Sequence, residues 1–454
     1  MKACQRSLQS FIEIESQYHR TWGGRVATTL AAFSLAGAVW VQEAPAQTSP
    51  SNEELARRIE ALAQEFEDQQ HGEVAGKLES HWGLGPAASK VYGVAHGLSF
   101  GGYGEMLYQD FASDNESGAA TNLQPEIDFL RFVLYAGYKF DDHVLFNAEI
   151  EFEHGSTEHG GSVSVEFAHL DFLLDPACNA RAGMLLVPMG IINEIHEPPT
   201  FFGANRPDVE LRLLPTTWRA NGVGVFGAAP GRLAGLSYRA YLIESLSSVG
   251  EEAFSASGLR DGRQNGAEAL AEDLAGVVRL DYERSGISGG GSVFFGNTSQ
   301  GALDGSGQPF GAYTTLAEGH LQVRRRGATL RALVAGARVD DATAINVANG
   351  YVGNASVGSE LLGWYAEAGW DVLTVLSPGS RFALVPFVRY SELDTQREVP
   401  SGYNADPAND ETILTLGASF FPHAQVVVKG DYEVRSNAAD TGVDQWNLAL
   451  GFHF

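Results

Sequence analysis

The chain is poor in cysteine, poor in positive charge and, beyond its N-terminal region, without a long apolar run. Of two cysteines in 454 residues, Cys4 and Cys178, the first would leave with an N-terminal signal, so no intrachain disulfide is expected and packing and hydrogen bonding are expected to hold the fold. Lys and Arg number 30 against 56 Asp and Glu, a formal net charge of -26. Nucleic-acid phosphates demand a basic face, so no nucleic acid is expected as a partner. The apolar runs past the N-terminal region all fall short of the roughly 20 residues that a helix needs to cross a bilayer, in line with a mean hydropathy of -0.11. None of these absences touches a β-barrel, whose strands alternate and average near zero hydropathy.

What the chain does have is glycine, aromatic residues and alternation. It carries 53 Gly and only 19% charged residues. In VLFNAEIEFEH (144–154) one face is Val144, Phe146, Ala148, Ile150 and Phe152, and the other is Asn147, Glu149, Glu151 and Glu153. Three acids in a row need water, and the apolar face opposite needs something dry. The chain closes on WNLALGFHF (446–454), with Trp446, Leu448, Leu450, Phe452 and Phe454 at every second position.

About sixteen such runs can be marked from 97–111 to 444–454. Their connections alternate in length. Short ones fall at Asp141-Asp142, 175–179, 283–286, Gly327 and Pro422-His423, and long ones at 112–125, 190–215, 245–270, 297–311, 341–356, 394–410 and 436–443. A soluble sandwich has no reason to sort loops by parity. A membrane barrel does, with tight periplasmic turns and long external loops. The expectation is therefore all-β: a transmembrane antiparallel β-barrel of about sixteen strands over 97–454 in the bacterial outer membrane. Its environment is outer-membrane lipid and lipopolysaccharide, and its C-terminal aromatic strand is the signal presented to the barrel assembly machinery.

Upstream, residues 1–46 read as a signal peptide: an apolar run at 26–41 follows Arg20 and Arg25 and precedes Ala44-Pro45-Ala46. Residues 47–96 read as a periplasmic helical, coiled-coil segment and linker. Ser51 and Glu54 form a capping box, and Leu55, Ile59, Leu62 and Phe66 make a short seam.

Residues 181–227 carry a strand RAGMLLVPMG, a segment with Pro198, Pro199, Phe201 and Phe202, and a re-entry TTWR into a Gly-rich strand. In these features the chain resembles the phosphate-selective porin O and P family. The resemblance implies a homotrimeric channel of sixteen strands with the third external loop folded into the lumen. Strand counting independently makes 190–215 that loop. The pore constriction is accordingly expected at Glu194, Glu197, Arg206, Asp208, Glu210, Arg212 and Arg219, with Arg206 and Arg212 facing Arg219 and the loop 245–270 outside the pore.

Phosphate selection rests on the resemblance alone. Alternation turns Arg131, Lys139, Arg219, Arg239, Arg279, Arg324, Arg326, Arg381 and Arg389 inward, but also Glu149, Glu151, Glu153, Asp281, Glu283, Glu318, Glu367, Asp431 and Glu433, a mixed lumen. Glu153, His154, Glu158 and His159 gather in a wet loop, and no metal or cofactor is expected there. His169, His320 and His453 lie on separate strands with no local serine motif, so no enzyme is expected. The reading is a passive channel for small hydrophilic, charged solutes, with a structural tether or a barrel-embedded enzyme as the alternative.

If residues 51–70 help hold a trimer, replacing Leu55, Ile59, Leu62 and Phe66 with polar residues weakens the oligomer in mild detergent. A monomeric wild-type protein on sizing overturns that expectation.

Overall fold

The computed structural model describes residues 78–155 and 160–454. The signal peptide and the 51–70 seam lie outside the described residues, as do Glu158 and His159. One compact unit runs from Glu79 to Phe454.

Its strands are β1 (Gly97–Phe111), β2 (Glu126–Lys139), β3 (Val144–Glu153), β4 (Ser162–Asp175), β5 (Cys178–Leu186), β6 (Arg219–Ala228), β7 (Leu236–Glu244), β8 (Leu274–Arg284), β9 (Ile287–Asn297), β10 (Tyr313–Arg325), β11 (Ala328–Val339), β12 (Glu360–Trp370), β13 (Ala383–Glu398), β14 (Asp410–His423), β15 (Val426–Asn437) and β16 (Gln445–His453). Each pairs antiparallel with its neighbours in chain order, and β1 pairs with β16 to close the barrel. The seam extends past β16, because Phe454 N donates to Gly102 O at 2.9 Å and Gly102 N to Phe454 O at 3.0 Å. All sixteen expected strands are present. β13 runs on to Glu398 rather than ending near 393, since Thr395 and Gln396, polar in sequence, are buried on external loops.

The closing stretch 446–454 settles into inside and outside faces. On β16, Trp446, Leu448 and Leu450 are exposed, while Gln445, Asn447, Ala449 and His453 are buried facing the lumen. Similar outward apolar residues ring the barrel, among them Leu280, Val293, Leu330, Val334 and Leu416. Aromatic pairs mark the two rims. Phe295–Tyr313 and Tyr432–Trp446 lie toward the long loops, Tyr138–Phe140 and Phe382–Phe420 toward the short turns. Such a belt between aromatic girdles is the lipid-facing surface of an outer-membrane barrel.

Two features depart from the sequence pattern. The sixth external loop holds an eight-residue helix, Ala342–Asn349, too short for its period to show in the sequence. The stretch assigned to linker just before β1 also packs into the barrel. Leu84, Ala87 and Ala88 are buried against Tyr103, Val133, Tyr135 and Phe167 of the inner wall, and Asn147 Nδ2 donates to Ala88 O at 2.8 Å. Small residues permit this approach: a Cβ on Gly85 would lie 2.4 Å from Glu197 Oε1.

Leu416, 49% exposed in the middle of β14, tests the outer face. Arg at a bilayer midplane costs about 2–4 kcal/mol, so Leu416→Arg lowers unfolding stability in lipid by that amount. An unchanged denaturant midpoint would mean that this face does not meet lipid.

Candidate functional site

The connection between β5 and β6, residues 187–218, is the third external loop and is called L3 below. It turns into the lumen and crosses to the opposite wall. Glu367 on β12 receives Arg331 Nη1 and Arg389 Nε, each at 2.9 Å. These two arginines also donate to L3, Arg331 to Thr200 O at 2.7 Å and Arg389 to Phe202 O at 2.5 Å. Lys429 donates to Gly203 O at 2.8 Å with its Nζ 3.6 Å from the Phe201 ring centre, and Asp431 accepts from Ala204 N at 2.6 Å. Phe202 stacks on Phe387, their rings 5.4 Å apart. Consecutive backbone groups of L3 are thus held by charged side chains of the far wall, which lets both sides be buried without loss of hydrogen bonding.

The expected constriction residues take different places. Glu194 pairs with Arg239 at 2.7 Å, and Arg239 and Arg279 share Asp281. Glu197 accepts from Ala87 N at 2.8 Å and pairs with His453, so it anchors the segment before β1. Glu210, fully buried, accepts from Ile191 N at 2.9 Å, Ile192 N at 2.6 Å and Tyr365 Oη at 2.5 Å. That makes it an internal brace of L3. Asp208 pairs with Arg435 at 2.8 Å. Arg212 pairs with Glu411 of β14, whereas Arg219 pairs with Glu166 of β4 at 3.2 Å. The expected meeting of Arg212 with Arg219 does not occur, because each is held by a different wall. Arg206 has no hydrogen-bond partner among the described residues, and its Nε and Nη2 are buried.

Around Arg206 lies a patch that the sequence only half revealed. Arg131 on β2 sits 3.4 Å from Glu105 of β1 and 3.8 Å from Glu151 of β3. In β4 the register shifts opposite Glu149 and Ile150, and both Glu166 and Phe167 are buried against the lumen contents. A bulge of this kind re-aims one side chain, here the Glu166 carboxylate. Arg206 is near enough to act electrostatically on Glu149 and Glu166. Buried polar atoms without a hydrogen bond cluster here, on Arg131, Glu149, Glu151, Glu166, Arg206 and Arg219. Glu166 was missed because the bulge breaks the period of two. Glu105 and Arg331 were missed because their inward neighbours, Tyr103 and Leu107, Leu333 and Ala335, are apolar, so the two faces of these strands look alike in sequence.

The other half of the lumen is dry. Val209 and Leu213 of L3 pack with Leu333, Ala335 and Leu361 of the wall. Residues 245–270, expected outside the pore, join this core through the fully buried Phe254 and Leu259. Leu259 N donates to Arg212 O at 3.2 Å, and Arg263 Nη1 to Thr217 O at 2.7 Å. The expectation fails because the loop's two large apolar residues are covered by L3 instead of solvent. Burial, and after it the neighbouring charges of Arg263, Arg206 and Arg131, push Arg260 down to about 9.

No family model matches the chain. A protein of Aquifex aeolicus (strain VF5), described as uncharacterized, is 35% identical over 370 residues, 79% of this chain and 80% of that protein. The chain belongs to that protein's family. Among solved structures, Salmonella typhi OmpF in complex with daunomycin is similar with a TM-score of 0.53 at 13% identity, over 79% of this chain and 98% of that one. The outer membrane channel DcaP of Acinetobacter baumannii has a TM-score of 0.49 at 10% identity, over 79% and 97%. The OmpF likeness shows the fold, a porin-like outer-membrane barrel. These likenesses do not show the phosphate-selective family suggested by residues 181–227.

Glu210→Ala leaves three donors without their acceptor, each costing about 1–3 kcal/mol when buried. The barrel should stay heat-modifiable while trypsin cuts L3 at Arg206 or Arg212 many times faster. An unchanged digestion rate would show that Glu210 does not hold the loop.

Proposed function

We propose that the barrel is a passive channel for small hydrophilic, charged solutes, with its narrow point between L3 and the wall formed by β1 to β4. One observation carries this reading. Arg131, Arg206 and Arg219 face Glu105, Glu151 and Glu166, and buried atoms of Arg131, Glu151, Glu166, Arg206 and Arg219 lack a hydrogen-bond partner here. Groups held in that condition can exchange bonds with a passing solute and water.

No bond in the solute changes; a gradient drives it, and the strip sorts. A partly dehydrated gap strengthens each Coulomb interaction well beyond its value in bulk water. Arg206 is the discriminating group because no wall carboxylate holds it. Arg260 and Arg263, which flank the strip on the fourth external loop, add positive potential to the approach. This favours anions, phosphate within that class, and the OmpF-like fold supports the channel reading in general. A homotrimer of such barrels belongs to the same proposal.

The test is a single-channel reversal potential in a salt gradient. Arg206→Gln together with Arg219→Gln should move selectivity toward cations, and Glu151→Gln toward anions. Asp304→Asn on the exposed fifth external loop should do little. Absence of any conductance refutes the channel. Equal shifts from Asp304→Asn and from the arginine changes would put the narrow point elsewhere.

A further inference from the structure

Where L3 passes β3 and the bulge of β4, three acceptors face one another. Glu149, Glu166 and His196 are 0%, 1% and 2% exposed, and one ligand atom from each lies within 4.8 Å of the others. His196 Nδ1 lies 3.0 Å from the Asn193 carbonyl oxygen. A carbonyl only accepts, so Nδ1 carries the proton and donates it. In the neutral ring Nε2 is then a bare lone pair, 3.1 Å from Glu149 Oε1 and 3.5 Å from Glu166 Oε2. The remaining oxygen of Glu149, Oε2, and the inward oxygen of Glu166, Oε2, are buried with no hydrogen-bond partner.

We propose that Glu149, Glu166 and His196 bind one divalent transition-metal ion that ties L3 to the barrel wall. Lone pairs converging in a buried space repel unless a proton or a metal cation sits among them. The spacing suits one: ligands about 2.0–2.1 Å from a tetrahedral zinc are roughly 3.3 Å apart, between the two measured separations. The surroundings follow the usual support of such sites, in which the second imidazole nitrogen donates to a carbonyl and bound carboxylates are themselves held. Glu166 Oε1 accepts from Thr217 Oγ1 at 2.8 Å and from Arg219 Nη1 at 3.2 Å, which reserves Oε2 for the ion. An imidazole with two carboxylates suits Zn2+ and its neighbours, whereas Ca2+ and Mg2+ prefer oxygen alone. Three protein ligands leave a fourth position to water. The ion would join β3, β4 and L3 beside the charged strip, a role that does not depend on which solute passes.

The competing arrangement is an imidazolium clamped between the carboxylates, which takes up no metal. Full-length protein in detergent is stripped with a chelator, dialysed, and titrated with Zn2+, with bound metal counted by mass spectrometry. One equivalent per chain is expected, retained in His143→Gln, whose ring is exposed on a turn, and lost in both His196→Gln and Glu149→Gln. Heat-modifiability of each variant reports folding. Should a variant not fold, Co2+ loaded into the wild type decides: the intense visible bands of a tetrahedral site support the proposal, and weak octahedral bands overturn it. A wild type that binds no Zn2+, or folded variants that bind as much as the wild type, also overturn it.

Discussion

The hydrogen bonds between β1 and β16 carry the rest of this molecule. In hydrocarbon an open strand edge has no water to satisfy it, so a sheet can cross the membrane only if it closes on itself. Here the seam is paired from Phe111 and Gln445 to Tyr103 and His453, then continued by Gly102 and Phe454 at the last residue. Once closed, the ring turns a period of two into a strict rule of inside and outside. Trp446, Leu448 and Leu450 have only lipid to meet, and Asn447 and His453 only the lumen.

Closure also gives the inward charges a problem that the strands cannot solve alone. Arg331, Arg389, Lys429 and Asp431 are buried on the inner wall, and buried charges must be paired or hydrogen-bonded. L3 answers with its own backbone: Thr200, Phe202, Gly203 and Ala204 supply the acceptors and the donor these groups need. The mixed signs of the lumen therefore serve mainly as adhesive between loop and wall. The strip near Arg206 gathers several charged groups that the fold leaves incompletely bonded.

The fold was legible in the sequence because alternation and loop parity are local signals repeated sixteen times. The place of L3 was legible too, since a charged loop rich in Pro and Phe at the third external position suits an inner wall. The roles of its residues were not. Glu210 and Glu197 look like pore charges in sequence, yet their oxygens accept from Ile191, Ile192 and Ala87, partners that appear only when distant segments meet. Glu166 escaped notice because a bulge cancels the period that would have pointed to it. Loop 245–270 misled for a further reason: Phe254 and Leu259 are read as surface residues unless another loop is known to lie above them.

The dry half of the lumen bears on how steadily the structure can hold its passage. Lifting L3 away would return Val209, Leu213, Leu214, Phe254 and Leu259 to water, all fully buried as the chain stands. At about 2 kcal/mol for each large apolar side chain, that displacement costs on the order of 10 kcal/mol, which leaves roughly one molecule in ten million with the loop raised. L3 is therefore a fixed part of the lumen wall, and under the proposed channel function solutes would be sorted by shape and charge at rest, with no slow shutter.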